Sequence, residues 1–346
     1  MKKLRLFASC FALLFAACGD DTNEPDKQGP LDPPGPPDPP VVQVDAKKFM
    51  KEVRDGMMQK FDLNTTDLPK TLELDGGIRI TIPDGALTKG GIPITGDFTV
   101  EILEVMTPSA AIFSGANMNY RGGGDFFLNP GYFISDGFFN IDVKQDGKSI
   151  DGDLADGKFL QIFVPFEDET RNETMIWEGD VEDGRFAWEE PDMEDIEAPD
   201  QGREINMIWK GKEGFDFGFG KLGWCNCDIF WGEGPLTTVT VKLTGNVGKL
   251  ASYMGFEGDT FVIFKPKGHF TVCQLYTIVG ENTVASYDNS MPVGHEGTML
   301  AFSITDNKFS LAVKQITIEE DMHMELDLKE VKKEDLVNAI KALDTK

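Results

Sequence analysis

Residues 97–105 read Asp97-Phe-Thr-Val-Glu-Ile-Leu-Glu-Val105. Apolar and polar side chains alternate. Successive side chains of a strand point to opposite faces, so Phe98, Val100 and Ile102, with Val105 as a further candidate, face a core. The same period of two continues outward on both sides. Thr71-Leu-Glu-Leu-Asp-Gly-Gly77 is a strand running into a turn, and Ile78-Arg-Ile-Thr-Ile-Pro83 alternates again. Further strands are predicted at 131–134, 138–144 and 159–164, separated by glycine turns at Gly90-Gly91 and Gly122–Gly124. Short strands with Gly and Pro punctuation predict a β-sandwich. One amphipathic helix is expected to open it, with Phe49, Met50, Val53, Met57 and Phe61 at helical spacing.

A second β region follows. Thr237–Leu243, Thr260–Lys265, Thr271–Val279, Thr298–Ile304, Phe309–Ile318 and His323–Leu328 alternate in the same way. Leu336, Val337, Ile340 and Leu343 mark a closing helix. The fold expected is therefore mainly β, two sandwich-like domains with short helices at either end. The boundaries expected are 46–166 for the first domain, 167–204 for an acidic hairpin or linker, and 205–346 for the second.

The 346 residues carry 33 Lys+Arg against 59 Asp+Glu, a formal net charge of -26. Such a charge excludes nucleic acid as a partner, because phosphates are repelled. Much of it is local: residues 167–204 hold 16 acidic and three basic side chains, and 19–45 hold seven and one. Outside the extreme N-terminus no apolar run is long enough to cross a bilayer.

That N-terminus reads MKKLRLFASCFALLFAAC. Lys2, Lys3 and Arg5 precede an apolar run, and Ala16 and Ala17 precede Cys18, which is the order of a secretory signal over residues 1–17. A cysteine after two alanines resembles the lipobox of bacterial lipoproteins, with Phe15 in place of the usual leucine. The resemblance implies acylation of Cys18, with membrane lipid as the partner of the acyl chains. The acidic cluster behind it, Gly-Asp-Asp-Thr-Asn-Glu24, resembles the export signal of Bacteroidetes surface lipoproteins and implies an outer-membrane, surface-exposed location. Residues 18–45 then form the lipidated cysteine and its tether. Eight of the chain's 19 prolines fall between 19 and 45, so an extended spacer of about 3.1 Å per residue is expected there.

Two stretches of the first β region, Ile80-Thr-Ile-Pro-Asp-Gly-Ala-Leu87 and Ile94-Thr-Gly-Asp-Phe-Thr-Val-Glu-Ile102, resemble the β-sandwich domain shared by ankyrins, netrin receptors and zonula-occludens proteins. The Gly-rich segment Phe113–Gly124 follows as it does in that domain. Leu222-Gly-Trp-Cys-Asn-Cys-Asp-Ile-Phe230 is similar to an element of bacterial surface lipoproteins. The resemblance spans roughly 70–166 and implies a structural or binding module, with no catalytic residue to carry over.

The remaining constellations each have a structural alternative. Cys225 and Cys227 share a strand face, and with Cys273 they suggest one disulfide from Cys273 to either, or buried thiols; their spacing does not match a structural zinc site. Trp177 and Trp188 flank an Asp-Gly turn. They are candidates for an exposed sugar-stacking platform or for a cross-strand aromatic pair. Asp151-Gly-Asp-Leu-Ala-Asp-Gly157 and Asp180–Gly184 offer carboxylates at loop spacing without a complete calcium loop, and Asp-Gly is a common hairpin turn. Gly268-His-Phe-Thr271 resembles the His-Phe-Ser cleavage site of self-processing relatives of the ankyrin-type domain, with threonine as the hydroxyl residue. No catalytic residue, metal ligand or cofactor is assigned. The functional expectation is a lipid-anchored envelope protein that binds or displays without catalysis, its partner an envelope protein or a glycan. A glycan-binding protein using exposed tryptophans and a self-cleaving protein are the alternatives.

Overall fold

The computed structural model describes residues 44–116, 118, 132–166, 173–182, 185–197, 207–231, 234–251 and 257–345. The signal segment, Cys18, the tether as far as 43 and the Gly122–Gly124 turn lie outside the described residues. All of the described residues belong to one compact unit, Gln43–Lys346.

The elements of the first part, in chain order, are α1 (Ala46–Met57), β1 (Met58–Asn64), β2 (Lys70–Glu73), β3 (Arg79–Ile82), β4 (Asp97–Val105), α2 (Pro108–Ser114), β5 (Tyr132–Gln145), β6 (Leu160–Pro165), β7 (Glu173–Glu182), β8 (Arg185–Glu189), β9 (Gly214–Phe219) and β10 (Gly223–Trp231). Then come β11 (Thr240–Gly245), β12 (Thr260–Pro266), β13 (Cys273–Leu275), β14 (Thr277–Gly280), β15 (Thr283–Ala285), β16 (Glu296–Thr305), β17 (Lys308–Thr317), β18 (His323–Val331) and α3 (Lys333–Lys341). The chain is mainly β, as its alternation predicts.

Asp45 caps α1 by accepting the Lys48 N–H at 2.7 Å. The helix expected to reach Phe61 stops at Met57, because Met58–Asn64 also alternate and pair in full with Leu103–Asp97. Among the described residues one sheet runs β1-β4-β5-β10-β7-β8, and a second runs β9-β6-β3-β2 with Ile196–Glu197 beside β9. The two pack face to face. Phe98, Val100, Ile102, Ile141 and Ile176 from the first sheet meet Ile80, Ile162, Phe215 and Phe217 from the second.

Val105 also faces a core, as expected, but a different one: it lies with Leu103 on the opposite face of β4. The half of β4 from Ile102 onward is buried on both sides, so alternation ends there. The strands expected at 131–134 and 138–144 are one long strand, β5, with a bulge in which Asp136 is the extra residue between the Ser135–Asp228 and Gly137–Cys227 pairings. Gly137 takes the positive φ of 132° that this bulge requires.

The second β region forms one sheet in the order β13-β12-β16-β17-β18-β11-β15-β14. Its two edge strands are consecutive in the chain, separated by Tyr276 alone, so the sheet curls into a nearly closed barrel where a second sandwich was expected. Val262, Phe264, Leu275, Val284, Met299, Ala301 and Leu326 fill its interior. Phe261, Ile263, Leu300 and Phe302, on the other face of β12 and β16, join Phe49, Leu103, Phe138, Trp177 and Leu336 in the core that also takes the three helices. The division expected at 204/205 also shifts. Strands β7 and β8 lie inside the expected linker, and β9 and β10 inside the expected second domain, yet all four belong to the first two sheets.

Candidate functional site

The first sheet changes character along one face. Toward Leu103, Val105 and Phe138 it is covered by the shared core. At the other end, the residues interleaved with the core positions of β1, β4 and β5 come together in solvent. Asp62 pairs with Thr99, Lys60 with Glu101, Asn64 with Asp97 and Thr99 with Lys144. All of these except Lys60, together with Asp67, line an open cleft of about 660 Å³.

Four of its carboxylates are engaged. Asp62 accepts from the Thr99 hydroxyl at 2.7 Å, Asp97 from the Asn64 amide at 2.7 Å, and Asp67 from the Asn64 N–H at 2.8 Å. Glu101 accepts from Lys144 at 2.6 Å and from Lys60 at 2.8 Å. The Lys144 hydrogen bond, followed by that of Lys60, holds the Glu101 carboxyl below its ordinary range. The same carboxylate raises the Lys144 ammonium. The cleft offers a surface of hydrogen-bond acceptors with one central ammonium group, suited to a polar ligand. Sequence reasoning missed the cleft. The signal was present in the outward positions of Asp97-Phe-Thr-Val-Glu101, but which strands lie alongside is fixed by pairings 40 residues distant.

The two tryptophans are placed otherwise than a sugar platform requires. Trp177 and Trp188 lie on the paired strands β7 and β8, both fully buried. Trp188 stands opposite Gly179, where any Cβ would meet Trp224, Phe186 and Trp188 itself at under 3.0 Å. The rings pack on Phe133 at 4.8 Å and Phe138 at 5.4 Å. The Trp177 indole N–H donates to the Asp228 carbonyl at 3.4 Å. A stacking surface built from these two residues is thereby corrected to an inter-sheet aromatic core.

Cys225, Cys227 and Cys273 are free, buried thiols. The first two lie in the core between the sheets and Cys273 in the barrel, so no disulfide joins them. Burial pushes each thiol pKa well up, which suppresses the reactive thiolate. Asp151, from the first candidate calcium loop, accepts from the Gly91 N–H at 3.0 Å and the Thr88 hydroxyl at 3.3 Å, which makes it a turn clamp. The second loop is the β7–β8 hairpin, closed at Glu182 and Arg185, and its Asp183-Gly184 tip lies outside the described residues.

His269, Phe270 and Thr271 occupy the loop between β12 and β13. The Ser135 N–H, from the bulge of β5, donates to the Phe270 carbonyl at 2.9 Å. Ser135 in turn donates through its hydroxyl to Asn226 at 3.1 Å, and Asn226 donates to Asp228, which makes a buried polar seam where the sandwich meets the barrel. Thr271 is fully buried, and its hydroxyl has no hydrogen-bond partner. The rings of His269 and His295 lie 6.5 Å apart between centroids. Among the described residues no group of three or more His, Cys, Asp or Glu side chains is placed to hold a metal ion, and no helix is long and apolar enough to cross a membrane. Comparison of the chain with protein-family models, curated proteins and solved structures returns no match.

Proposed function

We propose that this chain is a lipid-anchored protein of the outer membrane, displayed at the cell surface, that acts as a non-catalytic binding or structural module. One observation carries the reading: the order of positive residues, apolar run and Ala16-Ala17-Cys18 ahead of a proline-rich tether. The position of α1 is in keeping with it: the helix is capped by Asp45, five residues after the last proline of the tether, Pro40. The likeness of 70–166 to the ankyrin and netrin-receptor sandwich supports binding over catalysis. The acceptor-lined cleft of β1, β4 and β5 is where an envelope partner or other polar ligand is expected to dock. Expression in a Gram-negative host with a labelled fatty acid tests the anchor. The wild-type chain should take up label and partition into detergent, and Cys18→Ala should do neither. A wild-type chain that stays unlabelled and water-soluble overturns the reading.

The loop at 269–271 favours a second reading, self-cleavage between Phe270 and Thr271. The carbonyl there already accepts a fixed N–H, the kind of donor that stabilises a developing oxyanion, and the adjacent hydroxyl is uncommitted. In that reading the Thr271 oxygen bonds to the Phe270 carbonyl carbon as the C–N bond breaks. The hydroxyl proton passes by way of His269 to the Thr271 nitrogen, and water hydrolyses the resulting ester. Mass spectrometry of the purified chain should then give two pieces meeting at 270/271, and Thr271→Val a single one. A single intact mass from the wild-type chain ends it.

A further inference from the structure

The chain has only three histidines. Two of them, far apart in sequence, are neighbours in the fold. The β12–β16 ladder ends at Lys265 with Thr298 and Pro266 with Gly297. Beyond it the Lys267 N–H still donates to the Glu296 carbonyl at 2.9 Å, and the Lys267 ammonium meets the Glu296 carboxylate at 3.1 Å. Each strand then enters a tight turn with a glycine at positive φ, Gly268 at 80° and Gly294 at 88°. His269 and His295 sit in these two turns, both half-buried.

Their backbones are fixed from outside as well. The His295 carbonyl accepts from the Ile318 N–H at 2.9 Å, and next to His269 the Phe270 carbonyl accepts from Ser135 at 2.9 Å. The scaffold therefore presents two imidazoles side by side, centroids 6.5 Å apart and planes inclined at 45°. Metal–nitrogen bonds of about 2.0–2.1 Å at a tetrahedral angle put two imidazole centroids about 5 Å apart. Rotation of the two side chains about their own χ angles on these fixed backbones has to supply the difference.

We propose that His269 and His295 form an open two-histidine site for a late first-row divalent cation, zinc or copper(II), with water in the remaining positions. Imidazole is a preferred ligand of these ions, whereas magnesium and calcium favour oxygen donors. A net charge of -26 raises the local cation concentration around the whole molecule. Glu296 is the nearest further donor, at present held by Lys267. Occupancy would tie the loop that meets the β5 bulge to the turn before β16.

Calorimetric titration of the untagged full chain with zinc chloride at pH 7.5, in excess magnesium, tests the site. One equivalent should bind at micromolar zinc. His269→Gln and His295→Gln should each lose at least about tenfold in affinity, while His323→Gln, altered at the exposed start of β18, should match the wild type. Should either variant fold poorly, NMR of the wild-type chain still decides: zinc should shift the imidazole ring signals of His269 and His295 and leave those of His323 in place. Equal affinity in both variants, ring signals of His269 and His295 that zinc leaves unmoved, or no uptake below millimolar zinc each overturns the proposal.

Discussion

The sandwich and the barrel bury similar apolar strands by different routes. In the barrel, β16, β17 and β18 pair in chain order, β14 pairs with β15, and a single residue, Tyr276, separates the two edge strands of the nearly closed ring. In the sandwich, β5 pairs with β10, 82 to 99 residues further on. Its central sheet is buried on both faces, by the second sheet on one side and by the helices and the outer wall of the barrel on the other. Strands β16, β17 and β18 build on hairpins, but the barrel too needs a distant pairing, β11 with β18 in parallel 83 residues apart; the sandwich depends on remote segments and on the barrel wall as well. The shared core of Phe49, Trp177, Trp188, Phe261 and Phe302 is the element that makes the two one unit.

Trp188→Ala attacks that joint and should have the largest effect. The side chain is fully buried and packs on Phe138, Phe186 and Trp224. Its removal should cost about 3–5 kcal/mol in denaturant unfolding. If the two regions are one cooperative unit, hydrogen exchange should speed up in β12 and β16 as much as in β7. Acceleration confined to the sandwich would separate the regions. Glu104→Ala should come next and act on the sandwich alone. This buried carboxylate accepts from the Gly76 N–H at 2.6 Å, the Ile78 N–H at 3.0 Å and the Gln59 amide at 3.0 Å, tying the β2–β3 hairpin to β4. Leaving those donors without an acceptor should cost about 2–3 kcal/mol. A loss under about 0.5 kcal/mol would mean that water replaces the carboxylate.

The same contrast explains what could be read in advance. Barrel strands such as Thr260–Lys265 and His323–Leu328 fall close to their predicted places, because alternation and turn glycines are local signals. Thr271–Val279 did not hold together. It divides at Tyr276 into the two edges of the closed sheet, and closure is a global property that no window of residues contains. In the sandwich, Phe98, Val100, Ile102 and Val105 were legible as core residues, while the separate core that Val105 faces was not, because a strand buried on both faces stops alternating. The burial of Trp177 and Trp188 was undecidable from a pattern that shows an aromatic pair but not the barrel wall that covers it. The cleft was invisible for a related reason: its residues are ordinary outward positions until β1, β4 and β5 are placed side by side.

Within the first sheet two glutamates respond to acid in opposite directions, and the smallest prediction separates them. Lys144 and Lys60 hold Glu101 below its ordinary value of 4.5. A carboxylate with a depressed folded pKa stabilises the protein above its unfolded value and loses that contribution as pH falls through the folded one. Glu178 is raised instead, chiefly by burial, against the opposing hydrogen bond from Lys221. It favours the folded state below its unfolded value and loses that contribution as pH rises through the folded one. The two partly cancel in the wild-type profile, so neither can be read from it directly. Glu101→Gln isolates the first. It should be less stable than the wild type by about 1 kcal/mol at pH 7, a modest figure because Lys60 is mostly exposed. The difference should shrink as pH falls below 4.5 through the depressed folded value, measured by urea unfolding at successively lower pH. A penalty that stays constant with pH would show that Glu101 acts through packing and hydrogen bonding alone, and that the charge of the cleft contributes nothing to the sheet beneath it.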